Sequence, residues 1–331
     1  SPSARKRSTR ERGSMGAKLS KSRSASASPV STESVSAPPV STESVPVVVG
    51  TAFAVEQPTA EKQPDAAAGG PQQLDLVFTM DCTGSMGAYI QAAKKNIQTI
   101  VERLVQSEGY DLRFALVAYR DHPPQDQTYV TKRFPFTEDL AQMRRDLSTL
   151  SAQGGGDGPE AVAAGLKATL DSSWRPNATK VCILIADAPP HGLGESGDGF
   201  PNGAPDGVDP LEVLDQMSMH GICIYSVGCE PALSGYKHAK AFMVAAAEKT
   251  NGQAVALGSA AALADVIMGG AIEEMDLQQL ADEVVEEVRQ LRSAAPGMDD
   301  DHYKAKAWEA IQARGHTTRH MQSKKLKAKH A

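Results

Sequence analysis

The sequence predicts an α/β protein: an open, mostly parallel sheet with helices on both faces, flanked by disordered tails and a C-terminal helix. Three observations predict it. Short, intensely apolar runs recur between residues 74 and 257. Stretches with helical apolar spacing separate those runs. Strands joined through helices pair in parallel by right-handed crossovers, which covers both sheet faces.

The elements follow in order. LDLVFTM (74–80) reads as a short buried strand. In residues 89–105 the apolar side chains fall at 90, 93, 97, 100 and 104, a helical period. LRFALVAY (112–119) is strand, and YVTKRFPF (129–136) alternates like an edge strand. Apolar positions 140, 143, 147 and 150 mark a helix, and 160–170 a second. KVCILIA (180–186) is the most apolar strand. Asp209 and Pro210 open a helix over 209–219, since a short acid caps free N–H groups and proline suits the first turn. Strand 221–228, helix 237–250 and strand 253–257 complete the body. Beyond it, Leu277, Leu280, Val284, Val288 and Leu291 form an apolar stripe on an acidic helix. Such a stripe packs on the body or binds a partner helix.

Composition divides the chain into a low-complexity region at 1–72, a folded domain at 73–270, an amphipathic acidic helix at 271–293 and a basic tail at 294–331. The unit PVSTESV occurs twice in the first region, which is too poor in apolar surface to offset chain entropy. Residues 1–23 carry eight Lys/Arg against one Glu, and so do residues 302–331; the stretch between holds 18 bases and 38 acids. Basic ends on an acidic body suit solvated tails or an acidic partner. They lack the interleaved aromatics of a single-strand nucleic-acid binder, so nucleic acid is not an expected partner. Cys82, Cys182, Cys223 and Cys229 show no framework spacing, which predicts reduced thiols and an intracellular chain, with the cytoplasm the expected compartment. No 18-residue apolar run exists to span a membrane.

One stretch carries chemistry. In LVFTMDCTGSMGAYI (76–90) a buried strand stops at Asp81, and hydroxyls follow at Thr83 and Ser85. Asp187 follows strand 180–186 in the same way. Ligands of such sheets sit beyond the carboxyl ends of the strands. If the two strands are neighbours, about 4.8 Å apart, both carboxylates face one small volume. Bare carboxylates so close must share a proton or a cation. The two added hydroxyls favour the cation, and an all-oxygen set suits Mg²⁺ or Mn²⁺.

These residues resemble a known family. Asp81-x-Thr83-x-Ser85 is similar to the Asp-x-Ser-x-Ser signature of von Willebrand factor A domains, which opens their metal-ion-dependent adhesion site. ILIADAPPHG (183–192) resembles the strand that supplies the family's last site aspartate, here Asp187. The Gly-rich loop GGGDGPEA (154–161) resembles the family's third loop, with Asp157 where a threonine usually stands. DCTGSM and GGGDGPE together are most similar to the A domains of protist and fungal alpha-kinases and some intracellular relatives. The resemblance implies a Rossmann-like fold and a metal site of Asp81, Thr83, Ser85, Asp157 and Asp187. It also implies a partner protein whose own acid completes the coordination. With three carboxylates, the ion should be held more tightly and recruit that acid more weakly than usual.

Each residue has a plainer reading. Asp81 and Asp157 could cap helices. Glycines 154–156 lack the lysine of a phosphate loop. His191 reads as a loop hydrogen-bonder, and 189–209 as a rim of the site. The functional expectation is a metal-dependent protein-interaction module rather than an enzyme. Alternatives are a regulatory or targeting part of a larger protein such as an alpha-kinase, and a metal-dependent phosphohydrolase. The last is disfavoured because Thr83 stands where a general acid is wanted.

Overall fold

The computed structural model describes residues 72–95, 110–259, 262–315 and 318–319, all within one compact unit, Gly50–Ala331. All but the last residue of the low-complexity region 1–72, the second half of helix 89–105 and the last residues of the basic tail fall outside this set.

Six strands form one sheet: β1 Gln73–Asp81, β2 Asp111–Tyr119, β3 Thr131–Thr137, β4 Thr179–Ala186, β5 Ile222–Cys229 and β6 Ala254–Leu257. Their spatial order is β3-β2-β1-β4-β5-β6. All pairs are parallel except β2–β3. The antiparallel edge strand β3 carries Pro135, Lys132 and Arg133. Proline cannot donate to a ladder and charges deter further pairing, so this sequence fits only an edge. Successive strands run outward to one side from β1 and then to the other from β4, so β1 and β4 flank the switch point.

Strand alternation divides the core in two. Leu74, Leu76, Phe78 and Met80 of β1 and Val181, Ile183 and Ile185 of β4 point to one face. There they meet the helix at 87–95 (α1), α2 (Leu140–Ser148) and the start of α6 (Leu263–Ala294). Cys182, Leu184, Ala186, Ile222 and Ile224 point to the other face, against α3 (Val162–Leu170), α4 (Pro210–Met219) and α5 (Ala239–Lys249). Each fully buried Leu, Ile or Phe contributes about 1.5–3 kcal/mol. The helices begin where the sequence caps them: Asp139 accepts from the Ala141 N–H at 2.7 Å and Asp209 from the Leu211 N–H at 2.7 Å. Among the described residues no helix is long and apolar enough to cross a membrane.

The C-terminal part is more structured than the sequence reading anticipates. Helix α6 runs unbroken through residues 270–271, and its first turns lie in the core. Gly270 permits this, because a Cβ there would stand 2.7 Å from the Tyr225 ring. Of the predicted stripe, Leu277 is exposed, while Leu280, Val284, Val288 and Leu291 are half-buried. A further helix, α7 (Asp300–Ala313), stands where a tail is expected. Asp299 caps it at 2.9 Å, and Tyr303, Ala307 and Ile311, spaced four apart, bury one face.

Opposite the carboxyl ends, Asp75 of β1 is fully buried. Arg113, its partner across the β1–β2 register, binds it at 2.6 and 3.0 Å. Arg175 adds a contact at 2.8 Å, and its own N–H another at 2.7 Å. This charge is paired in full.

Candidate metal centre

The carboxyl edge of β2, β1 and β4 carries an acid on each strand exit. Asp81 ends β1, Asp187 follows β4, and Asp121 lies two residues beyond Tyr119, the β2 partner of Asp81. Met80 pairs with Ile185, so Asp81 and Asp187 leave adjacent strands at nearly the same level. The sheet therefore brings together the two acids that the sequence places on separate strands.

The turn after β1 is tightly built. Asp81 Oδ1 accepts from the Thr83 N–H at 2.8 Å and from the Thr83 hydroxyl at 2.7 Å. A short 3-10 turn, Gly84–Met86, then leads into α1. Thr83 is buried and Ser85 exposed, so the two hydroxyls differ in access. The Ser85 hydroxyl faces Asp187, where its hydrogen bond offsets part of the burial that raises that acid's pKa. Asp81 Oδ2 is buried with no partner. Burial first, and then the charge of Asp187, push the Asp81 pKa up to about 7. An acid this perturbed at the carboxyl end of a strand is a candidate functional position.

The Gly-rich loop closes over this turn. The Gln153 N–H donates to the Cys82 carbonyl at 3.1 Å, and the Gly84 N–H to the Gly154 carbonyl at 3.2 Å. Gly154 and Gly155 both have positive φ. A Cβ on Gly155 would stand 2.5 Å from Glu160 Oε1 and 3.3 Å from the Thr83 Cβ. Glycine there lets the loop press Glu160 toward Thr83. Glu160 is buried, and its Oε2 has no partner. Burial, then Asp81, Asp121, Asp157 and Asp187, raise its pKa to about 11.

Asp157 lies elsewhere in this edge. Its carboxylate groups with Asp121 and His191, with ligand atoms of all three within 4.8 Å of one another. The Gly199 N–H donates to Asp157 Oδ2. Burial raises the Asp157 pKa to about 6 against that N–H, with Asp121 adding to the rise. His191 Nε2 stands 2.7 Å from Asp121 Oδ1, and its Nδ1 2.8 Å from Asp198 Oδ1. Burial lowers the imidazole pKa, but the two carboxylates outweigh it and the net shift is upward. The rim loop after β4 is thus anchored inward, and Phe200 packs edge-on to His191 with centroids 4.9 Å apart.

Asp121 and Glu160 escaped sequence reading, and His191 was read only as a loop residue. Asp121 carried a usable signal, an acid two residues past a buried strand. Glu160 carried none beyond the loop motif, because its approach depends on the glycine turn.

The residues fit a hard divalent cation. The oxygens of Asp81, Thr83, Ser85, Asp187 and Glu160 come from three separate segments. Two of the acids hold buried atoms with no partner, and no Lys or Arg pairs with any of the three acids among the described residues. The two hydroxyls hold the carboxylates in place, and a divalent ion would draw on the whole oxygen set.

Residues 75–193 match the family model for the von Willebrand factor A domain. The chain is 38% identical over 155 residues to the alpha-protein kinase vwkA of Dictyostelium discoideum, covering 46% of this chain and 24% of that protein. It is 28% identical over 160 residues to an ariadne-like RING finger protein of Acanthamoeba polyphaga mimivirus, covering 46% of this chain and 16% of that one. The chain thus spans a quarter or less of the length of these relatives. Among solved structures, a von Willebrand factor type A protein from Catenulispora acidiphila superposes with a TM-score of 0.44 at 17% identity, covering 62% of this chain and 43% of that one. Residues 75–193, which contain Asp81, Thr83 and Ser85, are thus similar to the von Willebrand factor A domain family.

Proposed function

We propose that this domain is a divalent-cation-dependent protein-interaction module of the adhesion type. Asp81, Thr83, Ser85 and Asp187 hold Mg²⁺ or Mn²⁺, and Glu160 takes the place in the Gly-rich loop that the family resemblance gives to Asp157. When bound, the cation supplies a Lewis-acidic position for a carboxylate of the partner. The chain's own residues do the rest. Thr83 holds Asp81 in one rotamer, Ser85 orients Asp187, and the glycine turn carries Glu160 inward.

The observation that carries this reading is Asp81 Oδ2, fully buried and unpartnered beside a second acid at the switch point. A non-catalytic role is favoured because Thr83 stands where a general acid is wanted. All four cysteines are free and buried, which supports a reducing, intracellular setting. The named relatives, an alpha-protein kinase and a RING finger protein, are much longer than the matched region. This supports a role in placing or regulating other activities through a bound partner.

Calorimetric titration with Mg²⁺, followed by affinity capture with and without EDTA, tests the reading. The wild type should bind one ion and capture partners only in its presence. Asp81→Asn should do neither. Capture that persists unchanged in EDTA would sink the proposal.

A further inference from the structure

Beside the proposed Mg²⁺ position lies a second cluster of different chemistry, which joins Asp157 to two residues outside the expected ligand set, Asp121 and His191. We propose that Asp121, Asp157 and His191 form a separate site for a zinc-type transition ion, which staples the rim loop to the body.

The three ligands come from separate segments: the exit of β2, the Gly-rich loop and the loop after β4. Their ligand atoms lie within 4.8 Å of one another. Asp121 is fully buried, and its Oδ2 has no partner. That unsatisfied atom points to a ligand independently of the clustering, because a buried carboxylate oxygen without a donor is costly. The Asp157 carboxyl stands within hydrogen-bonding reach of the Asp121 carboxylate, and Asp157 Oδ1 is also buried and unpartnered. Two carboxylates turned toward each other with free oxygens need something between them.

His191 decides which ion. Its Nδ1 is held by Asp198 Oδ1 at 2.8 Å, leaving Nε2 facing the acids. A carboxylate behind a histidine that presents its other nitrogen is the arrangement that orients imidazole toward a metal. Asp198 is fixed in turn by the Gly192 N–H at 2.8 Å and the Phe200 N–H at 2.8 Å. One imidazole and two carboxylates suit zinc better than Mg²⁺, which takes oxygen ligands and keeps its waters. The imidazolium alone does not settle the charge: Asp121, Asp157 and Asp198 outnumber it three to one.

The ion would tie the rim loop to the Gly-rich loop, joining two borders of the proposed Mg²⁺ position. Its occupancy is nonetheless separable, because Asp81 and Thr83 take no part in it.

The experiment uses the full chain, stripped with EDTA, returned to metal-free buffer and titrated with zinc against a chromogenic chelator. Co²⁺ serves as a spectroscopic stand-in. The wild type should take up one tightly held zinc, and Co²⁺ should give visible bands of a nitrogen-containing site. Asp157→Asn, at a half-exposed position that tolerates the change, should weaken zinc at least 100-fold. Asp198→Asn should weaken it about 10–100-fold by loosening the histidine. Asp81→Asn should bind zinc like the wild type, whatever becomes of its Mg²⁺ binding. His191→Gln should abolish the Co²⁺ bands, with circular dichroism confirming the fold. The proposal is overturned if the wild type holds no zinc, if Asp157→Asn holds it equally well, or if Asp81→Asn loses it.

Discussion

Asp75 and Asp81 sit on the same strand and the same face, and both are fully buried. At one end of β1, Asp75 meets the guanidinium groups of Arg113 and Arg175, so its charge is answered within the fold. At the other end, Asp81 meets Asp187, Asp121 and Glu160, and one of its oxygens has no partner. The first arrangement is a finished structural device. The second is finished only by something from outside the chain. Burial alone does not distinguish a structural acid from a functional one; the sign of its neighbours does.

The largest expected effect breaks or upholds this contrast directly. Asp75→Asn removes the buried charge that answers Arg113, while Arg175 keeps Asp111, and should cost roughly 3–5 kcal/mol in urea unfolding. Asp81→Asn, measured in EDTA, should be neutral or stabilising by about 1 kcal/mol, because it removes repulsion. Equal losses for the two variants in EDTA would erase the distinction.

Next in size is the response to the ion. Mg²⁺ at about 100 times its dissociation constant should raise wild-type stability by about 2.7 kcal/mol. The same addition should leave Asp81→Asn unchanged, as read from the shift in urea midpoint. A smaller change sharpens the picture of the Gly-rich loop. Glu160→Gln should weaken Mg²⁺ about tenfold, or about 1.4 kcal/mol by calorimetry, if that carboxylate faces the ion.

The smallest effect belongs to the paired end. The hydrogen bond from Arg175 holds the Asp111 pKa below its ordinary 3.8. The folded value lies below the unfolded one, so the contribution is present above about pH 3.8 and is lost as pH falls through the folded pKa. For this partly exposed pair it amounts to about 0.2–1 kcal/mol. Asp111→Asn should therefore lower stability slightly at pH 6 and not at pH 2, in paired urea titrations.

Much of the fold was legible because strand and helix periods are local. The apolar run of β4, the proline of β3 and the Asp209–Pro210 cap each act within a few residues. The acids at the ends of β1 and β4 were legible for the same reason, once adjacent strands were assumed. What stayed hidden depends on contacts across the chain. His191 meets Asp121 across 70 residues, and Arg175 meets Asp75 across 100. Helix α7 was missed because two of its four-residue steps pass through Ala307, which is too small to stand out in a charged stretch.

Helix α6 leaves the sheet at the end away from the acids: the carbonyl of Met275 is bonded by Gln72 at the start of β1, and the helix continues to Ala294. The remaining 19 residues carry it about 28 Å further, at 1.5 Å per residue. The sheet itself, eight or nine residues deep, is roughly 28 Å from end to end. A molecule seated at the start of β1 would thus be kept about one strand length from one gripped by the acidic rim.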